Sequence, residues 1–105
     1  MKKSKLVRDR VPGLVRRDRS VALRAVRHLD DSEYLLALID KLREEIEEFA
    51  ADPRVVELAD IAEVVRALTG LMTNPQELER VRQAKAEARG TFANRIWMTW
   101  EDGGQ

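Results

Sequence analysis

Four acidic residues set the chemistry open to this chain: Glu45, Glu48, Glu57 and Asp60. They fall into two pairs with three-residue spacing, in the runs EIEE (Glu45 to Glu48) and ELAD (Glu57 to Asp60). On a helix that spacing brings both members of a pair to one side. Two such helices folded back on each other would set four carboxylates face to face. A divalent cation makes such a cluster tolerable, and hard oxygen ligands suit Mg²⁺, with retained waters and substrate phosphates completing the shell. The competing reading is ordinary surface acidity, since Glu is a good helix former and acids beside an apolar stripe often only solvate a helix. Spacing alone favours that blander reading. Against it, Glu44, Glu45, Glu47 and Glu48 crowd into five residues, and like charges at neighbouring helix positions repel.

The elements that must hold these residues are legible from periodicity. In the stretch Leu35 to Leu68, the residues Leu38, Ile39, Leu42, Ile46 and Phe49 form one apolar stripe, with Glu45 and Glu48 on its shoulder. Glu44 and Glu47 lie further round, toward solvent. On the next helix Leu58, Ile61, Ala62, Val65 and Leu68 form the stripe, with Glu57 and Asp60 again on one shoulder. Asp30 and Glu33 have capping-box spacing and open the first of these helices, which runs through Phe49. Asp52 is the expected N-cap of the second, with Pro53 in its first turn; it runs to about Leu68, with Gly70 as its stop and room for a frayed turn through Met72. Asn74, Pro75 and Glu77 start a third long helix, 75–89, closed by Gly90. It carries a thin stripe of Leu78 and Val81, and one turn separates Lys85 from Arg89; those cations equally suit the negative end of the helix dipole. Upstream, Pro12 either sits in the first turn of a short helix running to about Arg17 or marks an extended-to-helix junction, and segment 20–29 leans toward extended structure. The apolar tail residues Phe92, Ile96, Trp97, Met98 and Trp100 are expected to pack on the bundle or across a subunit interface.

Composition narrows the classes. With 105 residues, 44% of them hydrophobic, the chain reads as one domain with a modest core. Cysteine is absent, which removes thiol nucleophiles, disulfides and zinc thiolate sites. His28 is the lone histidine, and no Ser, Cys or His arrangement suggests a covalent intermediate. No run approaches a membrane span and no signal-peptide pattern opens the chain, so a cytoplasmic location is expected. Net charge is zero but unevenly spread: residues 1–27 hold ten Lys or Arg against two Asp, whereas 30–63 hold twelve acids against three bases. A basic arm of this kind suits nucleic acid or a phosphorylated ligand of the acidic centre. Without aromatic residues among the basic ones, nucleic acid ranks second.

Taken in order, the two carboxylate pairs and their flanking motifs resemble the MazG-like, all-α nucleoside triphosphate pyrophosphohydrolase superfamily, in particular its phosphoribosyl-ATP pyrophosphohydrolase-like branch. The motifs are KLVRDRVP (Lys5 to Pro12), EYLLALIDKLREEIEEF, ELAD and KAEARGTF, and the likeness spans about Lys5 to Ile96. Gly90-Thr91-Phe92 departs from the Gly-Gly-Phe of many relatives, and the N-terminal stretch is unusually rich in Arg. The resemblance implies an all-α helical bundle completed by at least a homodimer. A single domain over 1–105 would comprise a basic segment (1–29), a helical core (30–89) and a tail (90–105). It implies Mg²⁺-dependent hydrolysis, with Mn²⁺ as a substitute, between the α and β phosphates of a nucleoside triphosphate or related nucleotide, releasing a monophosphate and pyrophosphate. Glu45, Glu48, Glu57 and Asp60 are the implied metal ligands. Glu44 and Glu48 are the carboxylates suited to orient or deprotonate the attacking water, and Lys5, Arg8, Lys85 and Arg89 the implied phosphate contacts. Two alternatives stand beside this: phosphoribosyl-ATP as the substrate, and a non-enzymatic helical interaction or nucleic-acid-binding protein.

Overall fold

A computed structural model describes residues 3–18, 22–23 and 25–103, and all its regular elements are helices: α1 (Val11–Arg16), α2 (Asp31–Ala51), α3 (Val55–Met72) and α4 (Pro75–Arg89). The chain divides into two compact units, Met1–Asn74 with the first three helices and Pro75–Gln105 with the fourth. Among the described residues no helix is long and apolar enough to cross a membrane.

The first unit is built on an antiparallel hairpin of α2 against α3. Helix α2 starts at a full capping box. The Asp30 side chain accepts from the Glu33 backbone N–H at 2.8 Å, and the Glu33 carboxylate accepts from the Asp30 N–H at 3.2 Å, an arrangement worth about 1 kcal/mol. Arg27 holds the same Glu33 carboxylate through both terminal nitrogens, at 3.2 and 2.9 Å.

The link between α2 and α3 corrects the expected boundary. Asp52 closes α2 instead of opening α3: its N–H donates to the Glu48 carbonyl at 3.1 Å. Pro53 disfavours helical backbone in the residue before it, and Asp52 leaves the helix at φ −152°, ψ 83°. Pro53 stays outside both helices, and extended Arg54 is the N-cap of α3. The Arg54 side chain ties the turn together, pairing with Asp52 at 2.6 Å and with Glu57 at 3.3 Å.

At the other end of α3 the turn through Met72 is present as regular helix. Gly70 lies inside the helix, which continues to Met72 and is capped by Thr73, whose N–H donates to the Thr69 carbonyl at 2.8 Å. An interior glycine costs about 1 kcal/mol. Half-buried Leu71, one residue beyond, gives the extra turn something to bury. Thr69 is buried and its hydroxyl donates to the Val65 carbonyl at 2.7 Å.

The core is thin. Leu38 and Val64 are its buried hydrophobic residues, at 3% and 8% exposure. Ile39, Leu42 and Phe49 of the α2 stripe are half-buried, and Ile46 is exposed. The inward face of α3 is rotated from the expected one: Glu57, Asp60, Ile61, Val64, Ala67, Leu68 and Leu71 are buried or half-buried, whereas Leu58, Ala62 and Val65 are exposed. Both acids of α3 thus sit on the packing face itself, and an apolar row is left outside.

Helix α1 has Pro12 in its first turn as expected, starting one residue earlier. Ala22, Leu23 and Ala25–Leu29, from the segment expected to be extended, form no regular element; Ser20, Val21 and Arg24 lie outside the described residues. In the second unit α4 spans the expected residues and ends at Gly90, whose φ of 85° is the left-handed conformation a glycine adopts freely. Pairs Glu77–Arg80 and Glu79–Arg82 brace its outer surface. The tail residues Phe92 and Trp97 are 96% and 92% exposed, and Ile96, Met98 and Trp100 are exposed as well.

Candidate metal centre

Helix α2 contributes Glu45 and Glu48, and α3 contributes Glu57 and Asp60, across the hairpin. The structure brings all four together: one carboxylate oxygen from each lies within 4.8 Å of the others. The three-residue spacing within each helix aims each pair at the facing helix, and the Arg54-braced link sets the phase of α3 so that Glu57 and Asp60 answer Glu45 and Glu48.

Glu45 is the most enclosed of the four, at 7% exposure. Its Oε1 lies 3.5 Å from Lys41 Nζ, one turn earlier on α2. Its Oε2 is buried with no hydrogen-bond partner, which is costly for a carboxylate in a protein interior. Burial pushes the Glu45 carboxyl above its ordinary value, and Glu48 pushes it further through both charge and hydrogen bonding. Lys41 pulls the other way, and Asp60 adds a smaller upward push. The chain has therefore placed an acid where charge is unfavourable and left one of its oxygens open, among three more acids. That donor set and spacing fit a hard divalent cation.

Cations ring the cluster. Arg8 donates from Nη2 to Asp60 Oδ1 at 2.7 Å, Arg54 reaches Glu57, and Lys41 serves Glu44 at 3.4 Å as well as Glu45. Glu44 is not one of the four convergent acids. It is partly exposed, neighbours them through Lys41, and also meets Lys5 at 3.7 Å. Its expected solvent-facing position is therefore drawn in by two lysines. Of the four cations expected at phosphates, Lys5 and Arg8 stand at the acidic centre of the first unit. Lys85 and Arg89 belong to the second unit, as exposed residues of α4.

Sequence reasoning missed Lys41 and Arg54. The signal was present, because Lys41 precedes Glu44 and Glu45 by three and four residues and Arg54 precedes Glu57 by three, spacings at which side chains on a helix meet. The Arg8–Asp60 pair, 52 residues apart, had no local signal. Comparison with known proteins returns no match: no family model, no curated protein and no solved structure matches the chain.

Proposed function

We propose that this chain is a Mg²⁺-dependent nucleotide pyrophosphohydrolase of the MazG-like kind, cleaving between the α and β phosphates of a nucleoside triphosphate or a related nucleotide. The observation that carries the reading is the convergence of four carboxylates from two helices around a buried Glu45 oxygen that lacks a partner. The flanking motifs that resemble that superfamily supply the substrate class. Glu45, Glu48, Glu57 and Asp60 hold the metal, with Mn²⁺ an acceptable substitute. Bound there, the ion would offset charge developing on phosphate oxygens and lower the pKa of an attacking water.

The chain's own groups do the rest. Glu44 or Glu48 orients the water or takes its proton. Lys5 and Arg8 bind phosphate oxygens, as Lys85 and Arg89 do by the same resemblance; an arginine can hold phosphate through two parallel hydrogen bonds. The deciding experiment is a nucleotide panel, including phosphoribosyl-ATP, assayed with and without Mg²⁺ for release of pyrophosphate. Metal-dependent pyrophosphate from any member supports the reading and names the substrate. No release from any member, together with salt-dependent binding to DNA, would favour the nucleic-acid-binding alternative.

The same reading includes a homo-oligomer, at least a dimer, that completes the bundle. Leu58, Val65, Val55, Val56 and Ile46 are exposed on the hairpin of one chain, apolar surface that a second copy would cover in part. A second copy covering it would bury on the order of 1,000 Å² or more. Sedimentation at micromolar concentration is expected to give at least twice the 12.1 kDa of the chain. A folded monomer under those conditions rules the dimer out.

A further inference from the structure

The segment that precedes α1 reaches the acidic centre twice. Lys5 pairs with Glu44 and Arg8 with Asp60, three residues apart on a stretch without regular structure, and half-buried Leu6 lies between them. The backbone fixes where Arg8 stands, since its carbonyl accepts from the Val11 N–H at 3.0 Å as the chain turns into α1. Its side chain is more than half exposed, so the guanidinium has room to move.

Asp60 therefore has two claims on it. It belongs to the four-carboxylate group, and its Oδ1 already accepts from Arg8 at 2.7 Å. A carboxylate bonded so closely to one cation is a poorer ligand for another, and a guanidinium beside a divalent ion is repelled by it.

We propose that Lys5–Arg8 is a strap exchanged by metal: Asp60 would leave Arg8 when the cluster holds a divalent ion, and the released guanidinium would become available to the phosphates of the nucleotide. The proposal rests on reading the cluster as a metal site. It assigns Arg8 opposite effects on the two ligands, holding metal affinity down while supporting nucleotide turnover.

The test is titration of the full chain with Mg²⁺ by calorimetry, for wild type, Arg8→Ala and Arg43→Ala, alongside hydrogen exchange of the peptide containing Lys5–Arg8. Arg43 is a control for lost positive charge, because it pairs with Asp40 on the exposed side of α2. Arg8→Ala is expected to bind Mg²⁺ about two- to fivefold more tightly, the range that a partly exposed ion pair can impose, with Arg43→Ala unchanged. Mg²⁺ is expected to speed exchange of the strap peptide in wild type. Equal Mg²⁺ affinity in Arg8→Ala and wild type, or strap exchange indifferent to Mg²⁺, overturns the strap and leaves the metal site standing. No Mg²⁺ binding to any of the three proteins overturns both.

Discussion

Asp60→Asn is expected to remove nucleotide turnover while leaving the helical content of the chain intact. Asp60 is half-buried on the packing face of α3, and one of its oxygens lies within 4.8 Å of ligand atoms from Glu45, Glu48 and Glu57. The amide keeps the shape but gives up the charge, and a neutral oxygen is a poor substitute in an all-carboxylate site. Loss of an outer partner to a metal ligand already costs about 10–100-fold, so removal of a ligand itself is expected to cost at least ~100-fold in kcat/KM, some 2.7 kcal/mol of transition-state stabilisation. Glu48→Gln on α2 is expected to behave alike, although Glu48 is more exposed. The measurements are initial rates over a range of nucleotide concentrations from below KM to saturation at limiting Mg²⁺, and far-ultraviolet circular dichroism. Full activity in either variant removes that residue from the metal centre.

Glu45→Gln is expected to change stability in a direction unusual for a substitution at a buried position. In protein treated with chelator, burial and Glu48 hold the Glu45 carboxyl above its ordinary value of about 4.5. The folded state then keeps this proton where the unfolded state has lost it. Stability from this group is fully present below about 4.5 and disappears as pH rises through the raised folded value. Wild type should accordingly lose stability with rising pH in that window relative to Glu45→Gln, whose amide does not titrate. At neutral pH and without metal, the variant is expected to melt at a higher temperature than wild type. Added Mg²⁺ should raise the Tm of wild type and do little for the variant. The acids with lowered values, Glu33, Glu77 and Glu79, act in the opposite sense and are common to both proteins, so the difference between the two pH profiles isolates Glu45. Parallel profiles would show that Glu45 carries no such strain.

The helices were readable because their signals are local. Asp30 and Glu33 specify a start, Pro75 another, and Gly90 a stop; each acts through backbone geometry within a few residues. Misreadings arose where two local rules competed. Asp52-Pro53 reads equally as an N-cap followed by a first-turn proline or as the last residue of a helix before a break, and Arg54 settles it by drawing Asp52 and Glu57 together. Gly70 reads as a stop, yet Leu71 keeps the helix going. The paired spacing singled out the four acids of the cluster, but alone it favours plain surface acidity, and the flanking motifs were needed to raise them above it. The inward placement of Glu57 and Asp60 was not legible, because periodicity assigned the inward face of α3 to its most apolar row, Leu58, Ala62 and Val65, and the structure leaves that row exposed. Contacts between distant segments, such as Arg8 with Asp60, leave no periodic trace at all.

The three-residue link Asp52–Arg54 decides more than where one helix ends. Each residue of a helix advances the face by about 100°, so chain length at the link acts as a selector between two registers of α3. Deleting one link residue would bring Leu58, Ile61, Ala62 and Val65 to the places now held by Glu57, Asp60, Ile61 and Val64. That shortened hairpin would bury more hydrocarbon and relieve the crowding of acids, while its half of the carboxylate cluster turned away. The length of the link thus selects between an acidic face and an apolar one.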